Sequence, residues 1–389
     1  MAKKPNIRFA GFEDDWEQRK VGDITKELSE YAKLNSGLPL LTSARTGLMY
    51  QSDYRGNSTT DNENTLFSIV PLNACTYRHM SDDSTFHINV NTLEKGLVSK
   101  EYPVFVENES DLRFVVQYIN SSDSFTKFCT EQKKGGTRTR LYYKTLCEYK
   151  MLIPSLNEQH IIADYFDNLD HLITLHQRKC DELKKVKKFM LQKMFPKKGE
   201  KNPEIRFDGF TNDWEQRKVG DYLTESREIG NKGDVARKMT VKLWGKGVYE
   251  KLEAGSTNTQ YFIRHANQFI YSKLDFLNCA FGVVPEELES LETTADVPAF
   301  DCVYMNPYFM FYRAIQPSFY IQNGIIANGS RKAKRIHTDT FLEMPISVPC
   351  LTEQNKIVGY FQSLDHLITL HQCKCKSCKK YYKCTRKLK

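Results

Sequence analysis

The chain has 389 residues and a formal net charge of +8, and its 23 Phe and 21 Tyr residues supply enough apolar area for two well-packed domains. No apolar run approaches the ~18 residues that span a bilayer, and no apolar stretch follows the first methionine, so we expect a cytoplasmic protein with no membrane partner. The 11 cysteines are an odd number in a chain without an export signal, which favours reduced thiols over a disulfide framework.

The first region begins with the segment 4–23, which reads KPNIRFAGFEDDWEQRKVGD. After it, residues 24–150 contain short β-type runs at 66–70 and 102–106 and a predicted helix over 111–120. Glycine and asparagine occupy the turns between these runs, as is typical of a domain that mixes α and β elements.

A basic loop ends the first region, and its residues 133–140 read KKGGTRTR. The DNA-binding candidates in this loop are Lys133, Lys134, Thr137, Arg138 and Arg140. Arginine grips phosphate or forks onto guanine, and glycine lets the backbone approach DNA closely, although a solvated basic turn has the same composition. Arg55 and Arg78 are further candidates in the same region.

A long helix is predicted from Asn157, which we expect to cap it, to Phe195, which precedes Pro196. At ~1.5 Å per residue this helix would be about 58 Å long. Apolar residues at steps of four and three form a coiled-coil seam that only His176 and Lys187 interrupt. The apolar seam positions include Ile162, Phe166, Leu169, Ile173, Leu183 and Met190.

Both the opening segment and the long helix occur twice. Residues 202–221 read NPEIRFDGFTNDWEQRKVGD, so that the run Asp15 to Asp23 recurs unchanged as Asp213 to Asp221. The helix run Leu169 to Gln177 reappears as Leu364 to Gln372. Such a long period indicates a tandem duplication of a domain plus a helix rather than a solenoid.

The second long helix should begin at Thr352 and Glu353, in the positions of Asn157 and Glu158. Its seam positions are Ile357, Phe361, Leu364 and Ile368. Two helices with matched seams favour an antiparallel pair that holds two domains apart. The alternative is that each helix packs on its own domain.

The interior of the second copy, residues 222–344, barely resembles residues 24–150, although it also mixes β-type runs with helical patterns. Each interior carries equal numbers of Lys/Arg and Asp/Glu residues, so DNA binding there would depend on local basic clusters. The second interior also ends in a basic loop, whose candidates are Asn328, Ser330, Arg331, Lys332, Lys334 and Arg335. Lys273 is a further candidate.

No catalytic site is predicted, because the motifs GxxxxGK[ST], HExxH and GxSxG are all absent. The run Asn306 to Phe309 reads NPYF and lacks the second proline of the methyltransferase motif NPPF. No metal site is predicted either, because histidines such as His171 and His176 stand five residues apart and point to different faces of the helix.

The repeats resemble the specificity subunits of Type I restriction–modification systems. The resemblance is carried by the openings IRFAGFEDDWEQRKVGD and IRFDGFTNDWEQRKVGD and by the segments LIPSLNEQ and SVPCLTEQ before the long helices, and it covers essentially the whole chain. It implies two target-recognition domains, each of which reads one half of a split, non-palindromic site in double-stranded DNA. It also implies a helical spacer that docks two methyltransferase subunits and, through them, the restriction subunits.

The resemblance further implies that this chain is not an enzyme and binds no cofactor, since S-adenosylmethionine, ATP and Mg would belong to the partner subunits. The expected fold is α+β, with two globular domains separated by two long antiparallel helices that form a coiled coil, in a pseudo-two-fold duplication. The expected boundaries are 1–153 and 201–348 for the recognition domains, and 154–200 and 349–389 for the helices with their linker and basic tail. After Gln372 the second copy departs from the first, because its tail CKCKSCKKYYKCTRKLK contains no acidic residue and fewer apolar seam positions.

Two other functions stay open from the residues alone. One is a self-sufficient DNA methyltransferase or nuclease. The other is an adaptor that binds no DNA, in which a coiled coil carries two protein-binding domains.

Overall fold

The computed structural model describes residues 7–55, 64–133, 137–197, 199–253, 255–325 and 335–386. The chain divides into two compact units, of which the first comprises residues 1–176 and 374–389 and the second residues 177–373. This division falls inside both long helices, whereas the boundaries expected from the sequence fall at the helix ends. No helix within the described ranges is long and apolar enough to cross a membrane.

The described part of the first unit contains short strands, five short α-helices and the beginning of the long helix α6. In chain order its elements are β1 (Glu17–Lys20), α1 (Val21–Ile24), β2 (Thr25–Glu27), β3 (Tyr31–Lys33), β4 (Leu41–Ala44), β5 (Gly47–Tyr50), α2 (Gln51–Arg55), β6 (Leu66–Val70), β7 (Cys75–Thr76), β8 (Met80–Ser81), β9 (Asn89–Val90), β10 (Gly96–Ser99), β11 (Val104–Glu107), α3 (Leu112–Ser121), α4 (Asp123–Glu131), β12 (Thr139–Arg140), α5 (Tyr143–Leu146), β13 (Lys150–Ile153) and α6 (Leu156–Lys193).

The second unit continues from α6 and contains most of α10. Its further elements are β14 (Glu215–Lys218), β15 (Leu223–Ser226), β16 (Ile229–Lys232), β17 (Lys238–Val241), β18 (Val248–Lys251), β19 (Gln260–Ile263), β20 (Phe269–Tyr271), β21 (Phe281–Val283), β22 (Glu292–Thr294), β23 (Ala299–Cys302), α7 (Pro307–Ala314), α8 (Pro317–Gly324), α9 (Thr338–Leu342), β24 (Pro345–Val348) and α10 (Leu351–Arg386).

The repeated opening segments form the same structure in both units. Strand β1 pairs antiparallel with β13, and β14 pairs antiparallel with β24. Each opening strand therefore lies beside the strand that leads directly into a long helix. The tryptophan before each opening strand is buried, with Trp16 5% and Trp214 2% exposed. Trp16 packs edge-on against Phe114 at 5.8 Å, and Trp214 packs against Phe309 at 5.7 Å, so each tryptophan anchors a helix of its domain, α3 or α7.

A buried ion pair ties each opening segment to the start of a long helix. Arg8 donates from Nε and Nη2 to the two carboxylate oxygens of Glu158 at 2.8 and 2.7 Å. Arg206 holds Glu353 in the same two-pronged manner at 2.7 and 2.8 Å. Both glutamate side chains are 1% exposed. Such bidentate pairs fix orientation as well as distance, which sets the direction in which each helix leaves its unit.

The central sheets of the two units have the same order, and the outer sheets do not. The strand orders β2-β11-β7-β9 and β15-β23-β20-β21 correspond element by element, and all pairings within them are antiparallel. The outer sheet has three strands in the first unit (β10-β6-β3) and five in the second (β16-β19-β22-β17-β18). The duplication inferred from the flanking repeats thus extends into interiors whose sequences have diverged.

The long helices pack side by side in both units. In the first unit, the rings of Phe166 on α6 and Tyr382 on α10 meet edge to face at 5.4 Å, and the Cys375 thiol lies 3.9 Å from the carbonyl oxygen of Ile173. The partner number falls as the α6 number rises, so the helices run antiparallel here.

The same direction holds in the second unit, where Lys187 Nζ donates to the Asp365 carboxylate at 2.5 and 2.7 Å and Phe195 stacks on Phe361. The predicted mixed fold with a coiled coil of two long helices is therefore confirmed. Among the seam positions, the structure buries Phe166, Ile357, Phe361, Leu364 and Ile368 and half-buries Ile162, Leu169, Ile173, Leu183 and Met190.

The predicted caps of the long helices are wrong. Helix α6 begins at Leu156, one residue before the expected cap, and the backbone N–H of Glu158 faces the Ser155 hydroxyl at 3.4 Å. Helix α10 begins at Leu351, so Thr352 lies inside it. Serine and asparagine are both good caps, and the proline that precedes Ser155 allows either start.

Candidate nucleic-acid interface

In the first unit, the fold places Arg78, Arg138 and Arg140 at one edge. Strand β12 pairs with β8, in a register that sets Arg140 opposite Met80. The pairing continues through the N–H of Leu141, which donates to the carbonyl of His79 at 2.9 Å. The basic loop therefore returns to the strand that follows Arg78.

A cleft of about 310 Å³ opens beside this edge. Arg45, Arg78, Asp82 and His87 are among its lining residues. Arg45 comes from the turn between β4 and β5, and sequence analysis missed it. A short Arg-Thr-Gly turn carries no binding signal of its own, and only the fold brings it to Arg78.

Two exposed ion pairs at this edge hold their guanidinium groups so weakly that another acceptor can bind them. Arg138 Nε donates to Asp82 at 2.8 Å, and Arg45 Nη2 donates to Asp83 at 2.5 Å. All four side chains are at least half exposed. Exposed pairs of this kind contribute only about 0–1 kcal/mol, so a phosphate or a guanine can replace the carboxylate at little cost.

The imidazoles near the cleft contribute shape rather than charge. Burial lowers the pKa of His87, and the positive charge of Arg45 lowers it further. Burial also lowers the pKa of His79, with smaller contributions from Arg140 and Arg78. Both rings are therefore neutral at pH 7, and the positive charge at this edge comes from the arginines. His79 stacks on the exposed ring of Tyr142 at 5.8 Å.

The second unit builds the corresponding edge from Lys273 and Arg335. The N–H of Ile336 donates to the carbonyl of Lys273 at 3.0 Å, just as Leu141 donates to His79. Lys273 donates its own N–H to the Asp296 carbonyl at 2.9 Å, and Arg335 Nη2 lies 3.7 Å from the Asp296 carboxylate. Arg140 and Arg335 are thus equivalent positions, each directly before the residue that closes this pairing and shortly before α5 or α9.

The other predicted DNA-binding residues are only partly described. Lys133 and Thr137 are exposed on either side of the undescribed residues 134–136, and Arg55 is the last residue of α2. The candidates that lie outside the described residues are Lys134, Asn328, Ser330, Arg331, Lys332 and Lys334.

The NPYF run has a structural role in this chain. Asn306 caps α7, because its side-chain oxygen accepts the N–H of Tyr308 at 2.9 Å and its amide donates to Asn355 at 2.8 Å. Phe309 is fully buried against Trp214. The aromatic ring of this run therefore fills the core of the second unit.

Each unit also presents a small apolar patch on a long helix, away from the seam. Leu172 and Leu175 are exposed on α6 in the first unit, and Leu367 and Leu370 are exposed on α10 in the second. The two pairs belong to the repeated run LDHLITLHQ, so both units offer the same side chains at the same helical spacing.

A segment in the first half of the chain matches a known family. Residues 82–185 match the family described as Type I restriction modification DNA specificity domain. The match includes Arg138, Arg140 and most of α6. No curated protein matches the chain.

The fold is similar to solved structures over essentially the full chain. The Type-I restriction-modification system S subunit from M. genitalium matches with a TM-score of 0.59 and 11% identity, over 99% of this chain and 98% of that one. The HsdS subunit from Thermoanaerobacter tengcongensis matches with a TM-score of 0.44 and 12% identity, over 100% of this chain and 98% of that one.

A structure titled for complex assembly and conformational transition of the type I R-M system matches with a TM-score of 0.45 and 10% identity, over 97% of each chain. The family match, with the fold shared with the M. genitalium subunit, confirms the resemblance to Type I specificity subunits that the repeats indicated.

Proposed function

We propose, from this resemblance, that the protein is the DNA-recognition subunit of a Type I restriction–modification complex. In this proposal each unit reads one half of a bipartite, non-palindromic site in double-stranded DNA. The long helices act as the spacer between the two readers. The chain itself catalyses no reaction, and S-adenosylmethionine, ATP and Mg are bound by partner subunits.

The observation that carries the proposal is the equivalent position of Arg140 and Arg335 in two alike frameworks with unlike surroundings. The framework strands, the buried ion pairs and the central sheet order are repeated. The residues around the basic edges are not. Two copies of one scaffold with two different basic edges suit a protein that binds one polymer at two different sequences.

Partner docking is proposed for the repeated leucine patches. Leu172 and Leu175, and likewise Leu367 and Leu370, expose apolar area that the helix pair does not bury. A patch at spacing of three residues on a helix suits a second amphipathic helix. Because the patch occurs in identical form twice, we propose that two copies of one methyltransferase subunit bind there.

The decisive experiment measures binding of the full chain to a mixed-sequence 40-base-pair duplex by fluorescence anisotropy, with and without the methyltransferase subunit. Arg140→Ala and Arg335→Ala should each cost ~1–3 kcal/mol of affinity or relax preference at one position. The matched control is Arg217→Ala, on a repeated framework strand, which should leave affinity unchanged.

Unchanged affinity and preference in both arginine variants would show that these edges do not read DNA. Methyl transfer or DNA cleavage by the purified chain alone would favour the rival enzyme function. If the chain binds no DNA in either form while it still binds the partner subunit, the adaptor function is correct.

Exchange of residues 24–150 for another recognition domain should change one half of the methylated sequence and leave the other half unchanged. Methylation mapping of a genome modified by the assembled complex gives the answer directly. A change in both halves would contradict the assignment of one half to each unit.

A further inference from the structure

The turn between β17 and β18 in the second unit carries an exposed tryptophan. Trp244 is 59% exposed, whereas the other two of the chain's three tryptophans, Trp16 and Trp214, are buried. Full burial of a large apolar side chain usually stabilises a fold by about 1.5–3 kcal/mol. An indole left in water contributes little to the fold, so its use must be sought elsewhere.

The backbone of this turn is held in a fixed and unfavourable conformation. The N–H groups of Trp244 and Gly245 donate to the carbonyls of Asn278 and Cys279 at 2.9 and 2.8 Å. Trp244 has a φ of 62°, in the left-handed region that costs a residue with a side chain about 1–2 kcal/mol. Glycine or asparagine would fit there without this cost. The indole is therefore exposed on a turn whose backbone the two hydrogen bonds hold in place.

Lysines surround the indole. An open groove of about 580 Å³ beside Trp244 is lined by Lys242, Lys246 and Lys251 and by one carboxylate, that of Asp275. Ser272 and Asn278 donate to the Asp275 carboxylate. Lys251 pairs with Glu253 at 3.1 Å.

Within the described residues, Lys242 and Lys246 have no carboxylate within ion-pair distance, and Lys242 Nζ lies 5.0 Å from the centre of the Tyr249 ring. The groove thus combines unneutralised positive charge with two aromatic side chains. Such a combination is complementary to a nucleic-acid backbone and its bases. Lys273, at the basic edge of this unit, is two residues before Asp275.

In the described part of the first unit, the corresponding turn does not repeat this aromatic feature. The turn between β4 and β5 carries Arg45 and contains no aromatic residue. A protein partner that binds both units alike needs features that both units share, as the repeated leucines are shared. A feature that the corresponding turn of the other unit lacks is instead expected to contact something that differs between the two binding sites, namely the DNA sequence.

We propose that residues 242–251 form a second contact to double-stranded DNA, in which Lys242 and Lys246 bind phosphates and Trp244 enters a groove against the base pairs of the half-site read by the second unit. This inference rests on the proposed function. It adds an element outside the basic loops and assigns to it both backbone contact and a part of the sequence preference.

Tryptophan accessibility tests the proposal without any substitution. Acrylamide quenching of the full chain should weaken when a mixed-sequence 40-base-pair duplex is added, because Trp244 is the exposed indole. Trp244→Phe should abolish this DNA-dependent change and keep the fold, since phenylalanine leaves the turn's backbone bonds intact.

Salt dependence tests the lysines. The double variant Lys242→Ala, Lys246→Ala should reduce the slope of log affinity against log salt by about 2, or about 1 for each phosphate contact. The matched control is Lys232→Ala on β16, the opposite edge strand of the same sheet, which should leave the slope unchanged.

The outcomes separate this inference from the proposed function. The inference is overturned, and the proposed function stands, if the Arg140 or Arg335 variants weaken DNA binding while the turn variants change neither the DNA-dependent quenching nor the salt slope. If the turn variants instead lose binding of the methyltransferase subunit and keep DNA binding, the turn is a protein contact and the inference is again overturned. If the chain and its complex bind no DNA, both fail together.

Discussion

The junction between domain and helix is built twice in this chain, once with charged and once with neutral side chains. In both units the side chain of a glutamine on the long helix accepts a backbone N–H from the cap of a domain helix. Gln159 accepts from Asp111, which caps α3, and Gln354 accepts from Asn306, which caps α7, each at 2.9 Å. In the first unit, Asp111 then bonds His160, and in the second Asn306 bonds Asn355.

The charged version extends further than the neutral one. In the first unit Arg113 bridges Asp111, Asp164 and Asp167. At the corresponding positions the second unit has Tyr308 and, on the helix, a glycine and a glutamine. The comparison shows that the geometry of the junction is set by backbone groups and the buried ion pair, whereas the surrounding charge is free to vary.

The largest expected effect comes from the feature that the two junctions share. Glu158→Ala or Glu353→Ala leaves a guanidinium without its partner in a largely buried site, and breaking such a pair costs about 3–5 kcal/mol of unfolding free energy. Hydrogen–deuterium exchange should show faster exchange in the unit that carries the substitution.

The exposed pair of Arg178 and Glu182 on α6 provides the control, because Arg178→Ala should change stability by only a few tenths of a kcal/mol, about 0.3–0.5. Equal, small effects of Glu158→Ala and of the control would show that the buried pair does not hold the junction.

An intermediate effect should distinguish the two halves of the coiled coil. Asp365 accepts from Lys187 and from the Tyr312 hydroxyl, whereas Asp170, its repeat equivalent, accepts from the Tyr382 hydroxyl at 3.2 Å. Asp365→Ala removes the ion pair with Lys187 together with the bond from Tyr312. Asp170→Ala removes the bond from Tyr382. A hydrogen bond to a charged group contributes about 1.5–3 kcal/mol, so the Asp365 variant should lose more stability.

Amide exchange in α6 reports both substitutions, at residues 183–191 for the first and at residues 165–173 for the second. The comparison is broken if the Asp170 variant loosens its helix pair as much as the Asp365 variant does.

The smallest expected effect is a pH dependence at the junction of the first unit. Burial raises the pKa of Asp111, but hydrogen bonds from Arg113 and His160 outweigh it and leave this pKa below the ordinary value. A carboxyl with a lowered folded pKa contributes stability that is present above its unfolded pKa of about 3.9 and is lost as the pH falls through the folded value.

Below about pH 4, therefore, the start of α3 should lose protection from hydrogen–deuterium exchange. The start of α7, which Asn306 caps, should not lose protection from this source. Exchange rates corrected for the intrinsic effect of pH provide the measurement. Asp111→Asn should remove the difference, and persistence of the difference in that variant would assign it to another carboxylate.

The sequence predicted the parts of the fold that repeat or that have a strong period. The helix over 111–120 corresponds to α3, the run 66–70 to β6, and the two long helices to α6 and α10. Heptad spacing is a property of one continuous segment, so it can be recognised without knowing which distant residues that segment contacts.

What the sequence did not predict depends on contacts between distant residues. Arg8 meets Glu158 and Arg206 meets Glu353 only after the domain between them has folded. Glu158 lies in the first turn of its helix, where the helix dipole favours a negative charge. The helix dipole explains a negative charge at this position, but it does not identify Arg8 as the partner of the buried Glu158 side chain.

The candidate DNA contacts were predicted in part. Arg78, Arg138 and Arg140 lie together because β8 and β12 pair, and Lys273 and Arg335 lie together for the same reason. Arg45 and Trp244 were missed, because each sits in a hairpin turn whose importance comes from the strand on which the turn rests.

The glutamines of the two junctions carry one further consequence. Gln159 and Gln354 each donate to a proline carbonyl, at 2.9 and 3.0 Å, and accept one main-chain N–H from the domain. Within the described residues, the hydrogen bonds of both amides all join main-chain groups. At this contact an imported interior would therefore need only a correctly placed peptide group, so these hydrogen bonds would tolerate a different interior sequence on the same pair of helices.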